Sequence, residues 1–240
     1  MGGFVVTSGP VDSRVELIQT TIGKKVVMAV SGVVWFGYVI GHLLGNLQIY
    51  AGPERINAYA EFLHRSPALL WGTRALLLVA IFAHIVASTA LAIRNFSARP
   101  VSYARRKDLA TTYAARTMLW SGPIILLFIG YHLAHLTFGI TPDFGYDPHN
   151  VYNNIVASFR IWWLAAWYVF AQVALCFHLY HGAWSFLQTL GANHPRYNAW
   201  RRRFAAAASL AIFVGYVSIP VSVMTGLLRP AAVSTARFGR

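Results

Sequence analysis

Acidic side chains are scarce here: Asp and Glu number 7 in 240 residues against 20 Lys and Arg, and charged residues of both signs make up only 11%. A water-soluble domain carries about 25% charge, so this composition excludes an ordinary soluble surface. Cysteine is nearly absent as well. The lone Cys176 cannot close an intrachain disulfide or supply the four thiolates of an iron–sulfur cluster. The opening segment MGGFVVTSGPVDSRVELIQTTIGKK lacks a charged-then-apolar leader, so no cleaved N-terminus is expected. Val6 stands where a myristoylation signal requires Ser or Thr.

What the chain has in quantity is apolar sequence, 57% of it, with a mean hydropathy of +0.50. Five runs, 26–50, 69–94, 115–140, 161–187 and 204–228, each hold enough apolar residues to span a hydrocarbon core about 30 Å thick as a helix. The runs are continuous rather than alternating, which disfavours barrel strands. The expected fold is therefore all-α: an integral membrane protein of five transmembrane helices, numbered I to V.

The net charge of +13 invites a nucleic-acid reading, but its distribution points to a membrane. Lys24 and Lys25 precede helix I; Arg94, Arg99, Arg105, Arg106, Lys107 and Arg116 crowd the second loop; Arg196, Arg201, Arg202 and Arg203 fill the fourth. The first loop (Glu54, Arg55, Glu61, Arg65) is balanced and the third (Asp143, Asp147, Arg160) slightly acidic. Basic loops alternate, so the positive-inside rule puts the N-terminus in the cytoplasm and the C-terminus outside. Anionic lipid or a docked acidic partner would suit the basic loops equally well.

No linker or low-complexity segment divides the chain, and residues 1–240 are taken as one domain. Pro67, Pro195 and Pro230 stand at polar boundaries, whereas Pro123 and Pro220 fall inside helices III and V, where a local rearrangement is expected. Small residues in helices I and V, among them Ala29, Ser31, Gly32, Gly41 and Gly215, suit close packing.

Six of the nine histidines, His42, His84, His132, His135, His178 and His181, lie within helices I to IV. An isolated intramembrane histidine more often satisfies a neighbouring helix than binds metal, but four helices each carrying one favour coordination. Depth sorts them. Counting from the cytoplasmic ends, His42 and His132 stand about 24 and 25 Å up, while His84 and His178 stand about 15 and 14 Å up. Two level pairs emerge, stacked roughly 10 Å apart. Paired imidazoles facing across a bundle suit a six-coordinate haem, whose porphyrin supplies the other four nitrogens. Helices I–IV would then form a four-helix haem-binding bundle holding two haems b, with helix V beside it.

His135 and His181, about 30 and 9 Å up, match no partner in depth. Each could bond a haem propionate, a quinone or water, or be a satisfied polar group at a bundle end. Arg74, Arg94 and Arg116 could pair with propionates, though arginines at helix ends commonly reach for headgroups instead.

The segments GKKVVMAVSG, GHLLGNL, INAYAEFLH, RTMLWSGPIILLFIGYHLAHLTFG and FHLYHGAWSFLQTLG resemble the bacterial succinate dehydrogenase/fumarate reductase cytochrome b subunit, in its single-chain, five-helix, two-haem class. The likeness runs over roughly residues 20–228 and is most specific in helices III and IV. It implies the same ligand pairs, His42 with His132 and His84 with His178. It also implies a respiratory-chain anchor in the bacterial cytoplasmic membrane for a flavoprotein subunit and an iron–sulfur subunit on the cytoplasmic face. The whole complex could form a higher oligomer. Electrons would pass to or from a quinone, menaquinone or ubiquinone, in the service of succinate oxidation in the tricarboxylic acid cycle or of fumarate reduction. The dicarboxylate chemistry would reside in those partners, since this chain has no dinucleotide fingerprint, cysteine cluster or dicarboxylate site. Inner-face quinone candidates are Lys24, Ser31, Trp184 and Gln188, with Glu61 in the outer loop as a proton relay for quinol oxidation there. Each also has a plain role: interfacial anchoring for Trp184 and Gln188, helix-end solvation for Lys24 and Glu61, packing for Ser31. Competing readings are the dihaem anchor of another quinone-linked enzyme, a histidine-lined proton-conducting transporter, and a diiron oxygenase, which the two depths and the lack of a buried carboxylate disfavour.

Overall fold

A computed structural model describes residues 19–98, 113–140 and 145–231. Arg99, Arg105, Arg106, Lys107, Asp143 and the segment around Val6 lie outside the described residues. Among the described residues seven α-helices follow one another: α1 (Thr21–Asn46), α2 (Pro53–His64), α3 (Pro67–Ser97), α4 (Tyr113–His132), α5 (Val151–Phe159), α6 (Trp162–Thr189) and α7 (Pro195–Met224). The described residues contain no strand. Five helical stretches, Thr21–Ala51, Pro67–Ser97, Tyr113–Thr137, Trp162–Thr189 and Pro195–Met224, are long and apolar enough to cross a membrane. The chain is an all-α, multi-pass membrane protein.

The helix starts follow elementary rules. Thr20 caps α1 by accepting a hydrogen bond from the Gly23 amide at 2.9 Å, and Asn150 caps α5 by accepting from Asn153 N at 3.1 Å. Pro53, Pro67 and Pro195 open α2, α3 and α7, where the missing N–H costs nothing.

Three features depart from the expectation. The fifth spanning helix begins at Pro195 rather than 204, so Arg196 and Arg201–Arg203 stand on helical turns and not in a loop. Apolarity marks where hydrocarbon begins, and a polar stretch of helix formers extends beyond it. Both loops at the opposite end contain helices, α2 and α5, too short to be read as spans. The backbone also stays helical through Pro123; the irregularity falls later, where Phe138 N donates to Leu133 O at 3.0 Å and residues Leu133–Thr137 form a π-turn. Such turns recur at functional sites.

Helix α1 packs against α3 and α6, and α4 packs against α6, while α7 lies mainly along α6 and touches α1. Around the bundle the order is therefore α3, α1, α6, α4. The α3–α4 edge and both diagonals, α1–α4 and α3–α6, make at most marginal backbone contact. On the outer flank, a β-carbon at Gly215 of α7 would stand 2.9 Å from the Leu43 methyls, so any side chain there would have to displace Leu43 of α1. One end of the bundle is closed by a cap. Tyr152 N donates to Asn57 Oδ1 at 3.0 Å, Ala231 N to Asn153 Oδ1 at 2.9 Å, and Tyr152 Oη to Arg229 O at 3.0 Å. These bonds tie α2, α5 and the segment after α7 together.

Candidate functional site

The two diagonals that the backbones leave open are bridged by imidazoles. His42 of α1 meets His132 of α4 with ring centres 5.9 Å apart, and His84 of α3 meets His178 of α6 at 6.2 Å. These are the pairs expected from depth. Two imidazoles sharing one metal ion through bonds of about 2.0–2.1 Å, with roughly 1.1 Å from nitrogen to ring centre, stand roughly 6.3 Å apart. An edge-to-face aromatic contact has a similar spacing, so the hydrogen bonds must distinguish the two.

At His84 they do so. Nδ1 lies 3.1 Å from the Met28 carbonyl, which can only accept, and 3.2 Å from Ser31 Oγ, whose own proton goes to Val27 O at 2.7 Å. Neutral His84 therefore carries its proton on Nδ1 and its lone pair on Nε2. His178 Nδ1 lies 3.3 Å from Ser121 Oγ, and His132 Nδ1 lies 3.4 Å from Tyr168 Oη. Among the described residues none of the four rings has a hydrogen-bond partner at Nε2. A partner at one nitrogen with the other left for a metal is the usual arrangement of a ligating histidine. A bare ion would want more: no group of three or more His, Cys, Asp or Glu that could hold one occurs among the described residues. Glu54, Glu61 and Asp147 belong to the capped end, so the diiron reading has no carboxylate ligand in the described bundle. Imidazoles in pairs, each with Nε2 unpartnered among the described residues, would suit a prosthetic group that brings further nitrogens of its own.

The two halves of the bundle repeat this construction. Ser31 and Gly32 lie beside His84, and a β-carbon on Gly32 would be 3.5 Å from the ring; Ser121 and Gly122 lie beside His178, with the equivalent distance 4.0 Å. In each half the same helix then carries an aromatic residue one turn before its own histidine: Tyr38 stacks on His42 at 5.4 Å, and Phe128 packs on His132 at 5.8 Å. SGVVWFGYVIGHL (31–43) and SGPIILLFIGYHL (121–133) are thus one motif used twice. The spacing of Ser-Gly to His-Leu was visible in the sequence, and it is the signal that would have found Ser121. From Ser31, beside His84, to His42 the helix rises roughly 16 Å, more than the roughly 10 Å expected from counting residues.

Ser31 is thus a partner of His84. Glu61 is an exposed surface residue paired with Arg65 at 2.6 Å, and Gln188 is exposed. Lys24 is partly exposed in the first turn of α1, and Arg94 is exposed near the end of α3. Arg74 stacks on Trp71 and Arg116 on Tyr113, at 4.9 and 5.6 Å from the ring centres. His135 is fully buried, with Nδ1 2.7 Å from Tyr168 Oη and Nε2 2.9 Å from Ser158 Oγ. His181 Nδ1 and Trp184 Nε1, one turn apart on α6, are buried without a hydrogen-bond partner among the described residues, and Arg202 lies 4.8 Å above the Trp184 ring. Arg201, assigned above to a loop, is buried: Nη2 donates to Asn193 and Asn198, while Nε and Nη1 have no partner.

Protein-family descriptions, curated proteins and solved structures were each compared with this chain, and none matches it.

Proposed function

We propose that this chain is the dihaem cytochrome b membrane anchor of a succinate:quinone oxidoreductase, exchanging electrons between an iron–sulfur subunit and membrane quinone. The observation that carries the haem reading is the pair of imidazole couples across the diagonals, at 5.9 and 6.2 Å, with Nε2 unpartnered in all four rings. His42 and His132 would hold one haem b, His84 and His178 the other. When bound, such a group would supply reversible one-electron chemistry. The chain itself supplies opposed donors at two levels, fixes the His84 tautomer, and encloses the sites with apolar helices.

The assignment to a succinate-linked complex rests on the motif resemblance, and the charge layout is compatible with it. Lys24, Lys25, Arg94, Arg116 and Arg201–Arg203 gather at the end opposite the cap, where the described residues include no Asp or Glu. The positive-inside rule makes that end cytoplasmic, the side on which an iron–sulfur and a flavoprotein subunit would dock. The unpartnered nitrogens of His181 and Trp184 lie toward the same end and suit a quinone carbonyl or a propionate.

A proton-conducting reading draws on the buried contacts among His132, Tyr168, His135 and Ser158. It is weakened because Ser158 donates to the Asn154 carbonyl, which has no proton to pass on.

Purified protein should show two haems b per chain by pyridine haemochromogen assay. His84→Ala and His178→Ala should each remove one and leave the other, and His42→Ala and His132→Ala should remove the second. Two haems remaining in each single variant, or none in the wild type, would overturn the assignment. Copurification of succinate-oxidising subunits separates this complex from other quinone-linked enzymes.

A further inference from the structure

The outer pair is asymmetric, and the difference can be followed proton by proton. Ser158 Oγ donates to the Asn154 carbonyl at 2.6 Å, so its proton is committed. The 2.9 Å contact between Ser158 Oγ and His135 Nε2 must therefore be donated by the histidine. Neutral His135 then has its lone pair on Nδ1, and the 2.7 Å contact there is donated by Tyr168 Oη. With its one proton spent, Tyr168 Oη can only accept from His132 Nδ1, at 3.4 Å the longest link. The chain of donors has a single consistent direction, and it ends with the His132 lone pair on Nε2. His135 and Ser158 are fully buried and Tyr168 nearly so; Tyr168 is also wedged edge-on between Phe128 and Phe159 at 5.0 and 4.9 Å. Among the described residues His42 has no such chain; the rings of Tyr38, His132 and Tyr216 lie beside it. The position that corresponds to His135 in its half is Gly45, whose missing side chain makes room for Tyr59.

We propose that Tyr168 and His135 are positioning residues for His132, a relay anchored on Ser158 of α5 that fixes the tautomer and raises the basicity of one axial ligand of the outer pair only. The inference rests on the dihaem reading. An acceptor at Nδ1–H makes an imidazole a stronger donor to its metal, which favours the oxidised iron.

The test uses the intact complex in native membranes, with Tyr168→Phe, His135→Leu and His135→Gln. Tyr168→Phe and His135→Leu should each raise the midpoint potential of one haem, the one that His132→Ala removes, and shift its low-spin EPR g values. The second haem serves as the folding control and should keep its potential and spectrum. His135→Gln, which can still accept from Tyr168 and donate to Ser158, should bring the potential back toward wild type. An unchanged potential and EPR signal in Tyr168→Phe, with both haems present, overturns the relay alone. Equal shifts in both haems also overturn it, because they would mark a general disturbance. A wild-type complex without haem overturns the dihaem reading and the relay with it.

Discussion

At the scale of single residues, His84 and His178 differ in how well they are held. His84 has both the Met28 carbonyl and Ser31 Oγ at Nδ1, whereas His178 has Ser121 Oγ alone. Ser121→Ala should accordingly loosen its haem more than Ser31→Ala does, with affinity falling by about tenfold, the lower end of what lost ligand-orienting bonds cost. Haem transfer to apomyoglobin from the two variants would measure this, and equal rates would count against the assignment of partners. The facing histidine pairs were legible because helical rise is fixed, so residue number converts to depth. Their partners were not: Ser31 stood out only as a quinone candidate, and nothing in the sequence aims its hydroxyl at a ring on another helix. Tyr168 read as one aromatic among many in an apolar run. His135 was left without a depth partner: it stands in a π-turn, and its neighbours are Tyr168 on α6 and Ser158 on a helix hidden in a loop.

At the scale of elements, the five spans were legible because hydrocarbon thickness dictates their length, and their apolar cores coincide with α1, α3, α4, α6 and α7. Their ends were less so. The start of α7 is set by Pro195 and a run of helix formers rather than by hydropathy, and α5 is short and carries Asn153 and Asn154, so it looks like loop. The approach of α1 to α7 was signalled by small residues, and it turns on Gly215. Gly215→Leu would drive a side chain into Leu43 and should destabilise the packing of α7 by about 1–3 kcal/mol. A thermal melt in detergent should show the lower Tm, while the stoichiometry of the proposed haems stays at wild type because α7 carries none of the four paired histidines.

At the scale of the whole molecule, the architecture divides by charge as well as by motif. The capped end holds all the described acidic residues, and the opposite end gathers cations, including a buried Arg201 with two nitrogens unpaired. If that face receives an acidic partner, Arg202→Glu with Arg203→Glu should weaken copurification of the other subunits and leave the spectrum of this chain intact. Retention of the subunits after charge reversal would remove the cationic face from the docking argument.

The doubled Ser-Gly to His-Leu motif has a consequence for assembly. Since each couple takes one ring from α1–α3 and one from α4–α6, neither half owns a complete site. Cut between 98 and 113, the chain should yield two colourless fragments that gain pigment only together. Either fragment turning red alone would mean that it pairs with a second copy of itself, the simplest picture of how such a molecule began.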